Sequence, residues 1–331
     1  MTLLSIRNLT TVFHSREGGI KACNQINLDV EAGKVVGLIG ETGCGKSVLG
    51  MSILRLLPDN TTITGNIFYR DRDLLEFSKK QLIGIRGKEI GLLPQSPSTS
   101  LNPVLKIGEQ ISEGLRIHKN LNRSIAWQKT LEILQLLGLP SAEKRINAYP
   151  HQLSGGMKQR ILAAISITGQ PSLLIADEPT KGLDAVLRAQ VVGILRRMIR
   201  ETGASLLLIT HDLKVAARLC DDIVVMYAGE IVERAPAAHL LARSRHPYTQ
   251  GLLASMPEGG LRPIPGHSPS LLDQSVGCNF YQRCRRKQEI CNRKTISGQM
   301  VDGSFVRCLY AAQGGETQQD LYNRNIQSKA I

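Results

Sequence analysis

The sequence predicts an α/β fold on a parallel sheet, with an antiparallel β portion, a helical insertion and a small C-terminal extension. Three observations predict it. The apolar, β-branched run Lys34-Val35-Val36-Gly37-Leu38-Ile39 leads into Gly40-Glu41-Thr42-Gly43-Cys44-Gly45-Lys46-Ser47, and helically spaced apolar residues follow from Val48 to Leu57. Two further apolar runs, Leu173-Leu174-Ile175-Ala176 and Leu206-Leu207-Leu208-Ile209, end in polar residues, as buried parallel strands do when they carry a site at their carboxyl ends. From residue 105 to 168 the spacing turns helical, with Ile107, Ile111 and Leu115, then Trp127, Leu131, Leu134 and Leu137.

A chain of 331 residues accommodates two domains, or one large domain with an extension. The expected division is 1–257 and 258–331, with the helical insertion at about 97–168 of the first. The formal charge of +13 admits nucleic acid, anionic lipid or nucleotide as partner and selects none of them. An aromatic fraction of 4% argues against a base-stacking surface. Residues 1–15 lack the apolar stretch of a signal peptide, and no apolar run approaches the ~20 residues of a membrane helix. The expected setting is the cytoplasm, with cysteines as reduced thiols or metal ligands.

In chain order, Leu4–Leu9 and Ile26–Val30 alternate as strands. Phe13 stands just before a polar loop. It reads as an aromatic that stacks on adenine or as a half-buried residue at a strand end. The run 40–47 is G-x-x-x-x-G-K-S between a strand and a helix, the context of a phosphate site. Its glycines let successive N–H groups converge on phosphate, and the helix start adds positive potential. Lys46 then reaches the outer phosphates and the Ser47 hydroxyl ligates Mg²⁺. Residues 63–69 and 89–93 are strand-like. The second ends in Pro94-Gln95, whose amide oxygen gains a role toward Mg²⁺ or water if that strand borders the phosphate loop.

The helical stretch closes on Leu153-Ser154-Gly155-Gly156-Met157-Lys158-Gln159-Arg160, a second glycine-rich helix start with Ser154 as N-cap. Asp177 and Glu178 end the next strand, where one can hold Mg²⁺ and the other can deprotonate water. A helix follows from Ala185 to about Thr202. The strand 205–209 then leads to His211, placed to donate to a γ-phosphate oxygen. Residues 223–233 read as a hairpin turning at Ala228-Gly229.

Together these pieces resemble the ATPase subunits of ABC transporters over residues 3–235. Walker A is 40–47 with Val48 beyond it, and Gln95 is the Q-loop glutamine. Leu153–Met157 is the signature, with Gln159 after it. Walker B is Leu173–Asp177 with Glu178, the D-loop is Gly182-Leu183-Asp184, and the H-loop residue is His211. The resemblance implies a RecA-like P-loop NTPase core that binds ATP and Mg²⁺, with Phe13 stacking on adenine. It also implies head-to-tail pairing, in which Ser154, Gly155 and Gly156 contact the γ-phosphate held by a second ATPase subunit. His246-Pro247-Tyr248-Thr249, Ile264-Pro265-Gly266 and Gly277-Cys278 to Cys284 are similar to the oligopeptide, dipeptide and nickel importers of that family. Lys181-Gly182 and Ser304 depart from the common pattern. The implied partners are two membrane permease subunits, a second similar ATPase and an extracellular substrate-binding protein. No specific nucleic acid is implied, and the expected location is the cytoplasmic face of the membrane.

Cys278, Cys284, Cys291 and Cys308 cluster in the extension, spaced C-x5-C, C-x6-C and C-x16-C. Structural zinc uses tighter pairs, and an iron–sulfur cluster tolerates wider loops. A [4Fe–4S] cluster, as in related importer subunits, is the leading reading; zinc and unliganded thiols are the others. Arg283, Arg285, Arg286, Lys287, Arg293 and Lys294 surround them, to offset cluster charge or face anionic lipid. A soluble nucleic-acid-acting ABC ATPase is the rival function, against which the His-Pro-Tyr-Thr stretch argues.

Overall fold

The computed structural model describes residues 1–272 and 276–312. The parts of the predicted extension at 273–275 and 313–331 lie outside the described residues. Its strands are β1 (Thr2–Ser15), β2 (Gly18–Glu31), β3 (Val35–Ile39), β4 (Thr61–Tyr69), β5 (Arg72–Asp73), β6 (Ile90–Leu93), β7 (Leu173–Asp177), β8 (Ser205–Thr210), β9 (Asp222–Tyr227), β10 (Glu230–Pro236), β11 (Gln299–Val301) and β12 (Ser304–Val306). The described residues form two compact units, one of residues 1–4, 29–35 and 68–210, the other of 5–28, 36–67 and the described residues from 211 on.

In the first unit β6, β7 and β8 are parallel neighbours, with Leu92 opposite Ile175 and Ile175 opposite Leu207. All six residues of β8 are buried, as is β7 up to Ala176. Such unbroken apolar strands need cover on both faces, which α/β layering supplies. The helical insertion follows its predicted spacing at Ile107–Lys119, where Ile107, Ile111 and Leu115 are buried. In Arg123–Leu136 the buried stripe is Ala126, Thr130 and Leu134, while Trp127 and Leu131 are half-buried. The apolar face is thus rotated from the expected one. Asn122 caps this helix, accepting from the Ile125 N–H at 2.9 Å.

In the second unit β3 pairs in parallel with β9, Leu38 facing Val224. The predicted hairpin is β9–β10, turned by Ala228 and Gly229 at φ 44° and 83°. Strand β12 extends it antiparallel along β10, and β11 lies outside β12. Strands β2, β1 and β4 lie side by side in that order. The helix after the phosphate-type loop is Lys46–Ile53, ending four residues before its apolar pattern does. Arg55 turns left-handed at φ 48°, and the Leu56 N–H closes back on the Met51 carbonyl, a Schellman-type stop.

Candidate functional site

The loop after β3 wraps around the ammonium of Lys46. Lys46 is buried, and its ammonium donates to the carbonyl oxygens of Gly40 at 2.8 Å and Glu41 at 2.9 Å, which folds the loop around it. Gly45 is the N-cap of Lys46–Ile53 at φ 105°, and no side chain caps the helix. The helix dipole favours a negative ligand at this end. A Cβ on Gly45 would lie 2.0 Å from the Ala22 carbonyl oxygen, so only glycine fits. The Gly229 N–H donates to the Cys44 carbonyl at 3.0 Å, pinning the loop to the β9–β10 turn. Thr42, Gly43, Ser47 and Val48 complete the turn and the first helical residues. The Cys44 thiol is buried, and burial pushes its pKa up. Glu41 has its carboxylate, N–H and carbonyl oxygen all engaged within the protein. Phe13 sits half-buried near the end of β1.

The carboxyl ends of β6, β7 and β8 gather a second group. Leu93 stands opposite Ala176, so Gln95 lies just past the end of β6, and Asp177 is the last residue of the adjacent parallel strand β7, with Glu178 next. Glu178 is buried and left-handed at φ 46°, with its N–H donating to the Ile209 carbonyl at 2.8 Å. A bulky non-glycine residue held at positive φ is a costly conformation of the kind found at functional sites. His211, exposed, directly follows β8. The helix Gly155–Ile167 is capped by Ser154, whose hydroxyl accepts from the Met157 N–H at 3.4 Å. Gln159 turns inward, donating to the Pro179 carbonyl at 3.1 Å, so it ties this helix to the turn after Glu178. Asp184 caps Ala185–Thr202, accepting from the Leu187 N–H at 2.9 Å.

The His-Pro-Tyr-Thr stretch opens a helix. His246 Nδ1 accepts from the Tyr248 N–H at 3.1 Å, and Pro247 takes the first helical position, where no N–H is needed. Burial pushes the His246 pKa down to about 3, which keeps the imidazole neutral and able to accept. The Glu233 carboxylate accepts from the Arg245 and His246 N–H groups at 2.7 and 3.0 Å.

Cys278, Cys284, Cys291 and Cys308 line one small pocket with Phe280, Arg286 and Tyr310. All seven cysteines are free thiols. Burial pushes the Cys278 thiol up to about 12, with Cys284, Cys308 and Cys291 adding to the shift. The donor chemistry suits a thiolate-bound metal, but among the described residues no group of three or more His, Cys, Asp or Glu side chains is arranged to hold one. The surrounding cations divide. Arg286 and Lys287 line the pocket, and Arg293 pairs with Glu289 at the surface. Arg283 instead leaves the thiols and pairs with Glu41. That pairing corrects its reading as a charge toward a cluster or lipid. It is also the contact that sequence reasoning missed, since no local pattern marks it.

Residues 23–181 match the family model described as ABC transporter, and residues 232–291 match that of the oligopeptide/dipeptide transporter C-terminal region. The "Probable peptide ABC transporter ATP-binding protein y4tR" of Sinorhizobium fredii is 43% identical over 315 residues, 92% of this chain and 94% of that protein. The chain belongs to the ATP-binding proteins of ABC transporters. The dipeptide transport ATP-binding protein DppD of Bacillus subtilis is 39% identical over 95% of this chain and 96% of its own. Among solved structures, the dimeric post-hydrolysis state of the ATP-binding cassette MJ0796, bound to ADP and Pi, superposes with a TM-score of 0.64 at 26% identity. It covers 71% of this chain and 98% of that one. The fold is therefore the P-loop NTPase cassette, and this family member is an ATPase.

Proposed function

We propose that this chain is the ATP-hydrolysing subunit of an ABC importer that carries peptides across the cytoplasmic membrane. The observation that carries the reading is the anion-receiving loop Gly40–Ser47, set in a chain that matches peptide-transporter ATP-binding proteins over nine-tenths of its length. The names of those relatives favour peptide over nickel or metallophore complexes as cargo. No helix among the described residues is long and apolar enough to cross a membrane. The subunit works at the cytoplasmic face on permease partners, with a second ATPase subunit and an extracellular binding protein. In this reading residues 1–257 form the cassette and 258–331 the extension.

The roles follow from chemistry. The loop amides from Gly40 to Ser47, with Val48, and the Lys46 ammonium take the phosphates. Ser47, Gln95 and Asp177 carry oxygen donors, the kind Mg²⁺ prefers. Phe13 stacks on adenine. Glu178 deprotonates the attacking water, and His211 donates to the γ-phosphate. Ser154, Gly155 and Gly156 serve the nucleotide bound by the partner, so hydrolysis waits for closure of the pair. The four-cysteine pocket is read as a [4Fe–4S] site, with zinc as the alternative, on the strength of its shared thiol lining. Anaerobically purified chain then carries about four irons and absorbs near roughly 400 nm; colourless, metal-free protein removes that reading.

Glu178→Gln tests the ATPase assignment. It keeps the side chain's size and removes the base, so ATP turnover falls by about 10²–10⁴-fold. The variant accumulates as an ATP-bound dimer in size-exclusion chromatography with light scattering. Turnover at the wild-type rate would overturn the role of Glu178.

A further inference from the structure

Glu41 is the second residue of the phosphate loop, and the anion receptor itself makes no use of its carboxylate. That carboxylate is nonetheless held by a two-pronged ion pair. Arg283 donates through Nη1 to Oε2 at 2.8 Å and through Nη2 to Oε1 at 2.9 Å, and the Ser268 hydroxyl also donates to it. Arg283 is 7% exposed and braced on every side. Its Nε donates to the Pro265 carbonyl at 2.9 Å and its Nη1 to the Tyr227 hydroxyl at 3.2 Å. The guanidinium carbon stands 5.8 Å from the Tyr227 ring centroid and 5.9 Å from that of Phe280. The Glu41 N–H donates to the Tyr248 hydroxyl at 2.9 Å, and the Tyr248 ring packs against Tyr227 and Phe280. The Glu41 carbonyl is one of the two that orient Lys46.

We propose that Arg283 and Tyr248 are positioning residues for nucleotide binding, and that through Glu41 they clamp the phosphate loop in its receiving shape. The proposal rests on the nucleotide-site reading above. A planar guanidinium fork matched to a carboxylate sets position as well as charge, which a lysine cannot reproduce. The clamp also neutralises an anion at the mouth of a site for anions. Without Arg283, the Glu41 carboxylate both frees the loop and repels the incoming phosphates.

The test is MgADP binding to the full-length chain by calorimetry, with folding checked by circular dichroism. Arg283→Gln weakens binding by about tenfold or more, and in ATP turnover it raises KM more than it lowers kcat. The double variant Glu41→Gln/Arg283→Gln recovers part of the loss, because the liberated carboxylate is gone; a simple packing defect gives no such recovery. Tyr248→Phe keeps the ring, removes only the acceptor and weakens binding about threefold. It carries the test if Arg283→Gln does not fold. Wild-type affinity in folded Arg283→Gln or in Tyr248→Phe overturns the proposal, as does a double variant no tighter than Arg283→Gln. Lys46→Ala serves as control. Loss of binding there supports the site reading independently of the clamp, and wild-type binding there overturns both.

Discussion

The helices Lys46–Ile53 and Gly155–Ile167 both begin on glycine-rich turns, yet their first amides meet different surroundings. At the first, Gly45 is left-handed, no side chain caps the helix, and an added Cβ at Gly40 or Gly45 would strike a carbonyl oxygen at 2.2 or 2.0 Å. The chain's own packing demands these glycines. At the second, Ser154 supplies the cap from its own hydroxyl, and Ser154 and Gly155 are exposed. A Cβ on Gly155 would meet no heavy atom within 4 Å. On Gly156 it would approach only the Leu187 methyl, at 3.0 Å, and Arg160. Nothing among the described residues asks for glycine at 155. A helix start whose glycines are dictated by its own packing is a loop shaped from within; one that takes a side-chain cap and still keeps bare backbone at an exposed glycine is shaped for something that arrives from outside. This is the physical content of the proposed head-to-tail pair.

The sharpest way to break the comparison is Gly45→Ala. The new methyl must displace the Ala22 carbonyl and hold a left-handed backbone, at a cost of about 2 kcal/mol or more. MgADP binding by the full-length chain falls by about a hundredfold, and the thermal midpoint drops with it. Near-native binding in this variant would mean that the loop does not need the geometry described for it.

Much of the fold is legible in the sequence, and what is not divides into two kinds. Strands β7 and β8 and the helix Ala185–Thr202 follow their apolar runs, because burial there is set by local period. The helix Lys79–Ile85 escaped notice although Ser78 and Gln81 form a capping box. The hairpin of β11 and β12 also escaped, although Asp302-Gly303 supplies its left-handed turn at φ 46° and 76°. Both signals are local. The pair Glu41–Arg283 is different in kind. It joins residues 242 positions apart, and nothing in either neighbourhood announces the other. Arg283 beside Cys284 suggested service to the thiols, and only the fold shows it turned to the phosphate loop. The same holds for Tyr248, whose role depends on where its hydroxyl ends rather than on the helix it belongs to.

The smaller effects belong to the second helix start, and they differ between its two residues. Ser154→Ala removes a cap whose loss costs about 1 kcal/mol, and in the proposed pair it also removes a donor to the partner's phosphate. Gly155→Ala meets no steric barrier in the chain, and alanine is a better helix former than glycine by up to about 1 kcal/mol in a helix interior. The thermal midpoint of the single chain therefore falls slightly for Ser154→Ala and holds or rises for Gly155→Ala. If glycine at 155 exists for a neighbour's nucleotide, both variants lose ATP turnover and ATP-driven dimerisation, each by about tenfold, and Gly155→Ala does so without any loss of stability. Analytical ultracentrifugation with ATP in a Glu178→Gln background separates the cases. A Gly155→Ala chain that dimerises and, with Glu178 restored, turns over like wild type would leave the second glycine-rich start as a capped helix and nothing more. One that is stable yet fails to pair would place the reason for that glycine in the other subunit.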